Sequence, residues 1–100
     1  MHLGGLVYDP ESRQVSGSGR PALLTEREGE MLAHFLIHRG EVLSRAEIFD
    51  TLWARHGGST ENVVDVYLGY LRRKLDNFTG TGLALRTLRG RGFQLVLEEE

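Results

Sequence analysis

The sequence predicts one α+β domain: a small N-terminal antiparallel sheet, three helices, and a C-terminal β-hairpin. Three observations carry this. Thr25-Glu26-Arg27-Glu28 and Ser44-Arg45-Ala46-Glu47 are two helix-capping sequences, each followed by apolar residues at helical spacing. Val64, Leu68, Leu71 and Leu75 recur on one face of a third helix. Short apolar stretches at both ends of the chain are punctuated by glycine and proline. At 100 residues, 40% of them hydrophobic and 26% charged, the chain has the size and composition of a single globular core. We divide residues 1–100 into a sheet over 1–24, a helical core over 25–76 and a hairpin over 77–97.

Each element follows from local chemistry. Leu6-Val7-Tyr8, Gln14-Val15 and Pro21-Ala22-Leu23-Leu24 are extended pieces separated by Asp9-Pro10-Glu11-Ser12 and Gly17-Ser18-Gly19, the pattern of a meander. Such short strands need an apolar partner to cover one face. In a capping box the threonine or serine hydroxyl accepts from the third helical amide, and the glutamate reaches back to the cap. The first helix thus starts after Thr25, buries Met31, Leu32, Phe35 and Leu36, and stops at Gly40. The second starts after Ser44 and presents Ile48, Phe49, Leu52 and Trp53. The segment from Ala54 to Thr60, with Gly57-Gly58-Ser59-Thr60, is a loop.

On the third helix, at about 100° per residue, Leu68, Leu71 and Leu75 fall within about 40° of Val64 and form a buried seam. Asn62, Val66, Gly69 and Arg73 lie about 140–200° from it and face outward. Asp65 and Arg72 flank that face on one side, Val63, Tyr70 and Lys74 on the other. After a turn-rich stretch, Leu85-Arg86-Thr87-Leu88 and Phe93-Gln94-Leu95-Val96-Leu97 read as two strands joined by Arg89-Gly90-Arg91-Gly92. Two glycines allow the tight turn, and two arginines stand at its tip.

Composition excludes several functions. Without cysteine there is no disulfide frame, thiolate nucleophile or cysteine zinc site. No apolar run approaches the roughly 18 residues of a membrane span, and the start lacks the pattern of a secretory signal. A cytoplasmic protein is expected, without cofactor. His34 and His38 share a helix face but lack the glutamate of a His-Glu-x-x-His site, and neither a P-loop nor a Gly-x-Ser-x-Gly elbow is present. We therefore expect no enzyme and no metal.

The net charge of −2 conceals an uneven distribution. Residues 1–65 carry six arginines against ten acids, residues 66–97 carry Arg72, Arg73, Lys74, Arg86, Arg89 and Arg91 against Asp76 alone, and the tail is Glu98-Glu99-Glu100. Clustered cations repel one another unless a polyanion lies across them, when counterion release makes the same cluster favourable. The major groove of B-DNA admits one α-helix, and a hairpin beside that helix reaches the flanking minor groove. A helix with a wing is the geometry these residues suggest.

From the Thr25 capping box to Phe93 the chain resembles the winged helix-turn-helix effector domain of OmpR/PhoB-type response regulators. The most specific matches are Val63-Val64-Asp65-Val66-Tyr67-Leu68, Leu71-Arg72-Arg73-Lys74-Leu75 and Arg86-Thr87-Leu88-Arg89-Gly90-Arg91-Gly92-Phe93, with Ser44-Arg45-Ala46-Glu47 and Leu52-Trp53 at the expected distance. The resemblance implies sequence-specific binding of double-stranded promoter DNA and control of transcription in a two-component system. It implies that Asn62, Val63, Asp65, Val66, Gly69 and Tyr70 lie nearest base edges, and that Tyr67, Arg72 and Arg73 lie towards phosphates. Trp53 and Thr87 match phosphate-contacting positions; Arg89 matches the wing arginine of the minor groove, with Arg91 beside it. The Ala54 to Thr60 loop corresponds to the segment that contacts RNA polymerase, and binding is expected as a tandem dimer.

The sequence departs from that pattern at Gly69 and Tyr70, where many relatives carry basic residues, so an arginine fork on guanine is missing at those positions. Gly69 is either a point of close approach to DNA or a tolerated helical glycine. Tyr70 meets a thymine methyl or a phosphate, or covers the hairpin. Asn62 reads adenine or caps the helix. The sequence shows no receiver segment ahead of the effector strands, so the chain is expected to be either an excised effector domain or a short natural protein. Because it starts almost at the first effector strand we favour the excised domain, with the receiver and its histidine kinase belonging to the full-length protein. The competing reading is a winged-helix protein-interaction module without DNA binding, suggested by the outward apolar patch of Val63, Val66, Gly69 and Tyr70.

Overall fold

A computed structural model describes residues 1–17, 21–54, 60–76 and 82–97. Four short strands, β1 (His2–Leu3), β2 (Leu6–Asp9), β3 (Gln14–Ser16) and β4 (Ala22–Leu23), form an antiparallel meander in chain order. Tyr8 pairs with Val15 and Val7 with Ser16, so Leu6, Tyr8 and Val15 point to one face and are buried there. The N-terminal strand β1, paired through Leu3 and Leu6, was not foreseen in the sequence.

Helix α1 (Glu26–Ile37) begins with the complete capping box: the Glu28 amide donates to Thr25 Oγ1 at 3.2 Å and the Thr25 amide donates to Glu28 Oε1 at 2.9 Å. Helix α2 (Arg45–Leu52) begins with the Glu47 amide donating to Ser44 Oγ at 3.1 Å. Helix α3 (Asn62–Leu75) has Glu61 at its cap position, without a side-chain cap bond. Its seam is as expected: Val64, Leu68 and Leu71 are buried and Leu75 packs partly against the core. They meet Met31, Leu32 and Phe35 of α1 and Ile48 of α2 in one cluster that also takes in the buried face of the meander. Among the described residues, no helix is long and apolar enough to cross a membrane.

Strands β5 (Leu83–Leu88) and β6 (Gly92–Leu97) make the expected hairpin, with β5 beginning two residues earlier than the sequence indicates. The link between α1 and α2 runs along β6 like a third strand. The Gly40 amide donates to Leu95 O at 2.9 Å, and Leu43 and Phe93 exchange amide-to-carbonyl bonds of 2.8 Å in both directions. Gly92 makes this possible. It has φ +141, and a Cβ there would overlap the Leu43 carbonyl. The glycine that the sequence assigns to a turn therefore also lets two backbones touch, which anchors the base of the wing to the helical core.

Candidate nucleic-acid interface

The outward face of α3 is open. Asn62, Asp65, Val66, Tyr70 and Arg73 are exposed, whereas Val63, Tyr67 and Gly69 are half-buried. Asn62 is the first residue of the helix and does not cap it. The expected base-edge residues thus stand together on one helix, with Val63 turned partly into the core.

Of the basic triplet at the end of α3, the fold itself uses two. Arg72 turns to the hairpin, donating from Nε and Nη2 to Leu85 O at 3.2 and 3.0 Å and from Nη2 to Thr87 Oγ1 at 2.6 Å. Lys74 turns to the opposite side, where Nζ lies 2.5 Å from Glu28 Oε1 and 3.1 Å from Leu23 O. Both residues sit on the flanks of the seam, so their long stems reach across its edges and bring charge to carbonyls and a carboxylate. Arg73 remains outward. Of the triplet, Arg73 is therefore the cation left to meet a polyanion, joined by Arg89 and Arg91 at the wing tip, all exposed and without an ion pair among the described residues. The last turn of a helix also favours cations through its carbonyl dipoles.

Glu28 is 3% exposed. Burial pushes its carboxyl up, but the bonds from Lys74 and the Thr25 amide more than offset this and hold it below the ordinary 4.5. The pair fixes α3 to the start of α1.

Two more residues join the surface. Arg45, which the sequence reading treats only as part of a cap, reaches from α2 to Asp65 with Nε 2.9 Å from Oδ2, and its guanidinium lies 5.8 Å from the Phe93 ring. With Thr87, Arg89 and Arg91 it lines a cleft of about 310 Å³ between α2 and the wing. The signal for Arg45 was its position: a cation in the first turn opposes the helix dipole and so calls for another partner. The other is Arg27, which lies 5.3 Å over the Trp53 ring and donates to Leu52 O.

Trp53 is 4% exposed at the end of α2. Its ring lies 5.4 Å from Tyr67, which lies 5.5 Å from Tyr70. A ladder of Arg27, Trp53, Tyr67 and Tyr70 thus runs from the core to the exposed face of α3. Tyr70 stands on the α1 side, sharing a cleft with residues 25–28.

The loop assigned to RNA polymerase contact falls largely on residues 55–59, outside the described residues. Among the described residues no cluster of metal-binding side chains occurs. His38 Nδ1 lies 3.2 Å from Glu41 and its ring sits edge-on to His34.

Residues 19–95 match the model of the family described as transcriptional regulatory protein, C terminal. The chain belongs to this family, the effector domains of OmpR/PhoB-type response regulators. Over 93 residues, 93% of its length, the effector domain is 40% identical to the probable transcriptional regulatory protein TcrX of Mycobacterium tuberculosis, of which the match covers 39%. The domain thus spans about two fifths of the length of that relative. Among solved structures, the DNA-binding domain of Escherichia coli CadC superposes with a TM-score of 0.82 at 33% identity, covering 94% of this chain and 88% of that one. The Klebsiella pneumoniae RstA DNA-binding domain in complex with the RstA box gives 0.78 at 26% identity, covering 98% and 97%. The fold of the effector domain is the winged helix, and its relatives are transcriptional regulators, not enzymes.

Proposed function

We propose that the effector domain binds double-stranded promoter DNA in a sequence-specific manner, with α3 in the major groove and Arg89 at the adjacent minor groove. The observation that carries this is the exposed face of α3 between exposed arginines that have no ion pair among the described residues, Arg73 on the helix and Arg89 with Arg91 on the wing. A groove-bound helix needs an open face and cations at its margins to meet the two phosphate backbones. In this reading Asn62, Asp65, Val66, Gly69 and Tyr70 approach base edges, with Val63 beneath them. Tyr67, Arg72, Arg73, Trp53 and Thr87 serve the phosphate-facing rim, Arg72 by holding Thr87. Arg91 and Arg45 add charge beside the wing. The structure of the RstA relative with its DNA box supports the general mode.

The longer protein would place this domain in the cytoplasm, behind a receiver domain answering to a histidine kinase, and two copies would bind in tandem. Contact of residues 54–60 with RNA polymerase belongs to the same proposal.

The test is duplex binding at two salt concentrations. Affinity should fall steeply with salt, and Arg89→Ala should weaken all duplexes while lowering the slope by about one phosphate contact. Asn62→Ala should relax preference at one or two base pairs. A protein-interaction module, the reading favoured by exposed Val66 and Tyr70, would show no saturable duplex binding.

A further inference from the structure

On the α3 face Arg73, towards the C-terminal end, is an exposed cation able to read guanine, while the other cations near the face are engaged. Arg45 is paired with Asp65, Arg72 with Leu85 and Thr87, and Lys74 with Glu28. What the middle of the face does present is apolar. Val66 is 49% exposed and Tyr70 is 44% exposed, one helical turn apart and therefore neighbours on the surface. Gly69, three residues after Val66, stands beside Val66 on the flank away from Tyr70, so the three mark the corners of one shallow surface gap. A Cβ built on Gly69 would meet no atom within 4 Å beyond its chain neighbours and the helix's own backbone. The folded domain thus has no packing need for glycine there, and glycine weakens a helix relative to alanine. Tyr70 is meanwhile held by the ladder through Tyr67 to buried Trp53, so one wall of the gap is pre-positioned.

Resting on the proposed placement of α3 in the major groove, we propose that Val66, Gly69 and Tyr70 form a notch that receives the C5 methyl group of a thymine, making this domain a reader of A·T pairs at the centre of its site. The chemistry fits. The thymine methyl is the apolar group exposed on the floor of the major groove, and contact with it distinguishes thymine from the other bases. Val66 and the Tyr70 ring supply apolar walls, and the missing side chain of residue 69 supplies the depth. A guanine at that position would bring no methyl to the apolar walls and would meet, on the notch itself, only the Tyr70 hydroxyl as a donor.

The experiment selects bound duplexes from a random pool with the whole chain, then replaces each thymine of the selected site by deoxyuridine, which pairs identically but lacks the methyl. One or two positions should lose affinity by about fourfold, the worth of one buried methyl-sized group. Gly69→Ala fills the notch. It should weaken binding to the selected duplex and erase the uracil penalty, while its melting temperature holds or rises because alanine is the better helix former. Saturable binding without any uracil-sensitive thymine, or a Gly69→Ala domain that retains both affinity and penalty, overturns the notch and leaves DNA binding intact. A chain that binds no duplex saturably overturns the DNA reading and the notch with it.

Discussion

The guanidinium of Arg72 donates to the hydroxyl of Thr87 at 2.6 Å while its Nε and Nη2 share the Leu85 carbonyl. One side chain of α3 thereby sets the position of the wing strand β5. Arg72→Met keeps much of the apolar stem and removes the fork, leaving the Leu85 carbonyl without its donor. The variant should lose about 1–3 kcal/mol of stability, the range for leaving a buried acceptor without its donor. It should also lose duplex affinity, because the relation between helix and wing is relaxed. A double-mutant cycle with Thr87→Ala, read by urea unfolding, should give a coupling of at least about 0.5 kcal/mol. Strict additivity would show that the contact does not hold the wing.

Gly92 and Gly90 separate two meanings of a glycine in the same turn. Gly90 has φ +75 with open space around its missing side chain, whereas Gly92 has φ +141 and its Cβ would run into the Leu43 carbonyl and the backbone beyond it. Gly90→Ala should cost about 1–2 kcal/mol, the strain of the left-handed region. Gly92→Ala should cost more, since it also separates the Leu43 and Phe93 amide bonds. Thermal melts with amide exchange at Leu43 and Phe93 check the order. Equal losses, with those two amides still protected, would contradict the close approach.

These cases mark what a sequence discloses. The capping box of α1, the serine cap of α2, the α3 seam and the hairpin were legible because each depends on residues a few positions apart: Thr25 with Glu28, Ser44 with Glu47, Val64 with Leu68, Leu88 with Gly92. The partners of Arg72 and Lys74 were not. Glu28 is distant in sequence from Lys74, and no local rule tells an arginine or lysine held by a distant carbonyl or carboxylate from one left in solvent. Arg45 was hidden for a similar reason, since its neighbours Ser44 and Glu47 account for the segment as a cap. Strand β1 was missed because two residues carry too little pattern to register. Of the site, the exposed face of α3 followed from periodicity. The ladder behind Tyr70 needed the placement of Trp53, which only tertiary packing supplies.

The Glu28–Lys74 pair predicts an acid-sensitive fold. With its carboxyl held below the ordinary 4.5, Glu28 binds protons more readily in the unfolded chain as pH falls. Its contribution is then complete above about pH 4.5 and lost as pH drops through the folded value. Glu28→Gln should lower stability at neutral pH by about 1–3 kcal/mol and flatten the acid limb of the stability profile. Lys74→Met strands a buried carboxylate without its cation, so its loss should begin at higher pH than in the parent. Urea midpoints measured across pH check both. A Glu28→Gln profile parallel to the parent's would remove Glu28 from the acid response.

His34 predicts a second response at milder pH. Burial lowers its pKa from the ordinary 6.5 and neighbouring His38 lowers it further, against the weaker opposing pull of Glu47 and Glu41. Its Nε2 is buried without a hydrogen-bond partner among the described residues. Because the folded form resists the proton more than the unfolded chain does, the stability tied to a neutral His34 is complete above about pH 6.5 and declines as pH falls through the folded value. His34→Leu keeps an apolar body on α1 and removes both the unpaired nitrogen and the titration. The variant should gain about 1 kcal/mol from loss of an unsatisfied polar atom, and its advantage over the parent should be larger at about pH 5.5 than at about pH 8. Urea midpoints at the two pH values decide it. An advantage that is the same at both would mean that His34 takes up its proton equally in the folded and unfolded chains, so that its surroundings on α1 do not oppose the charge.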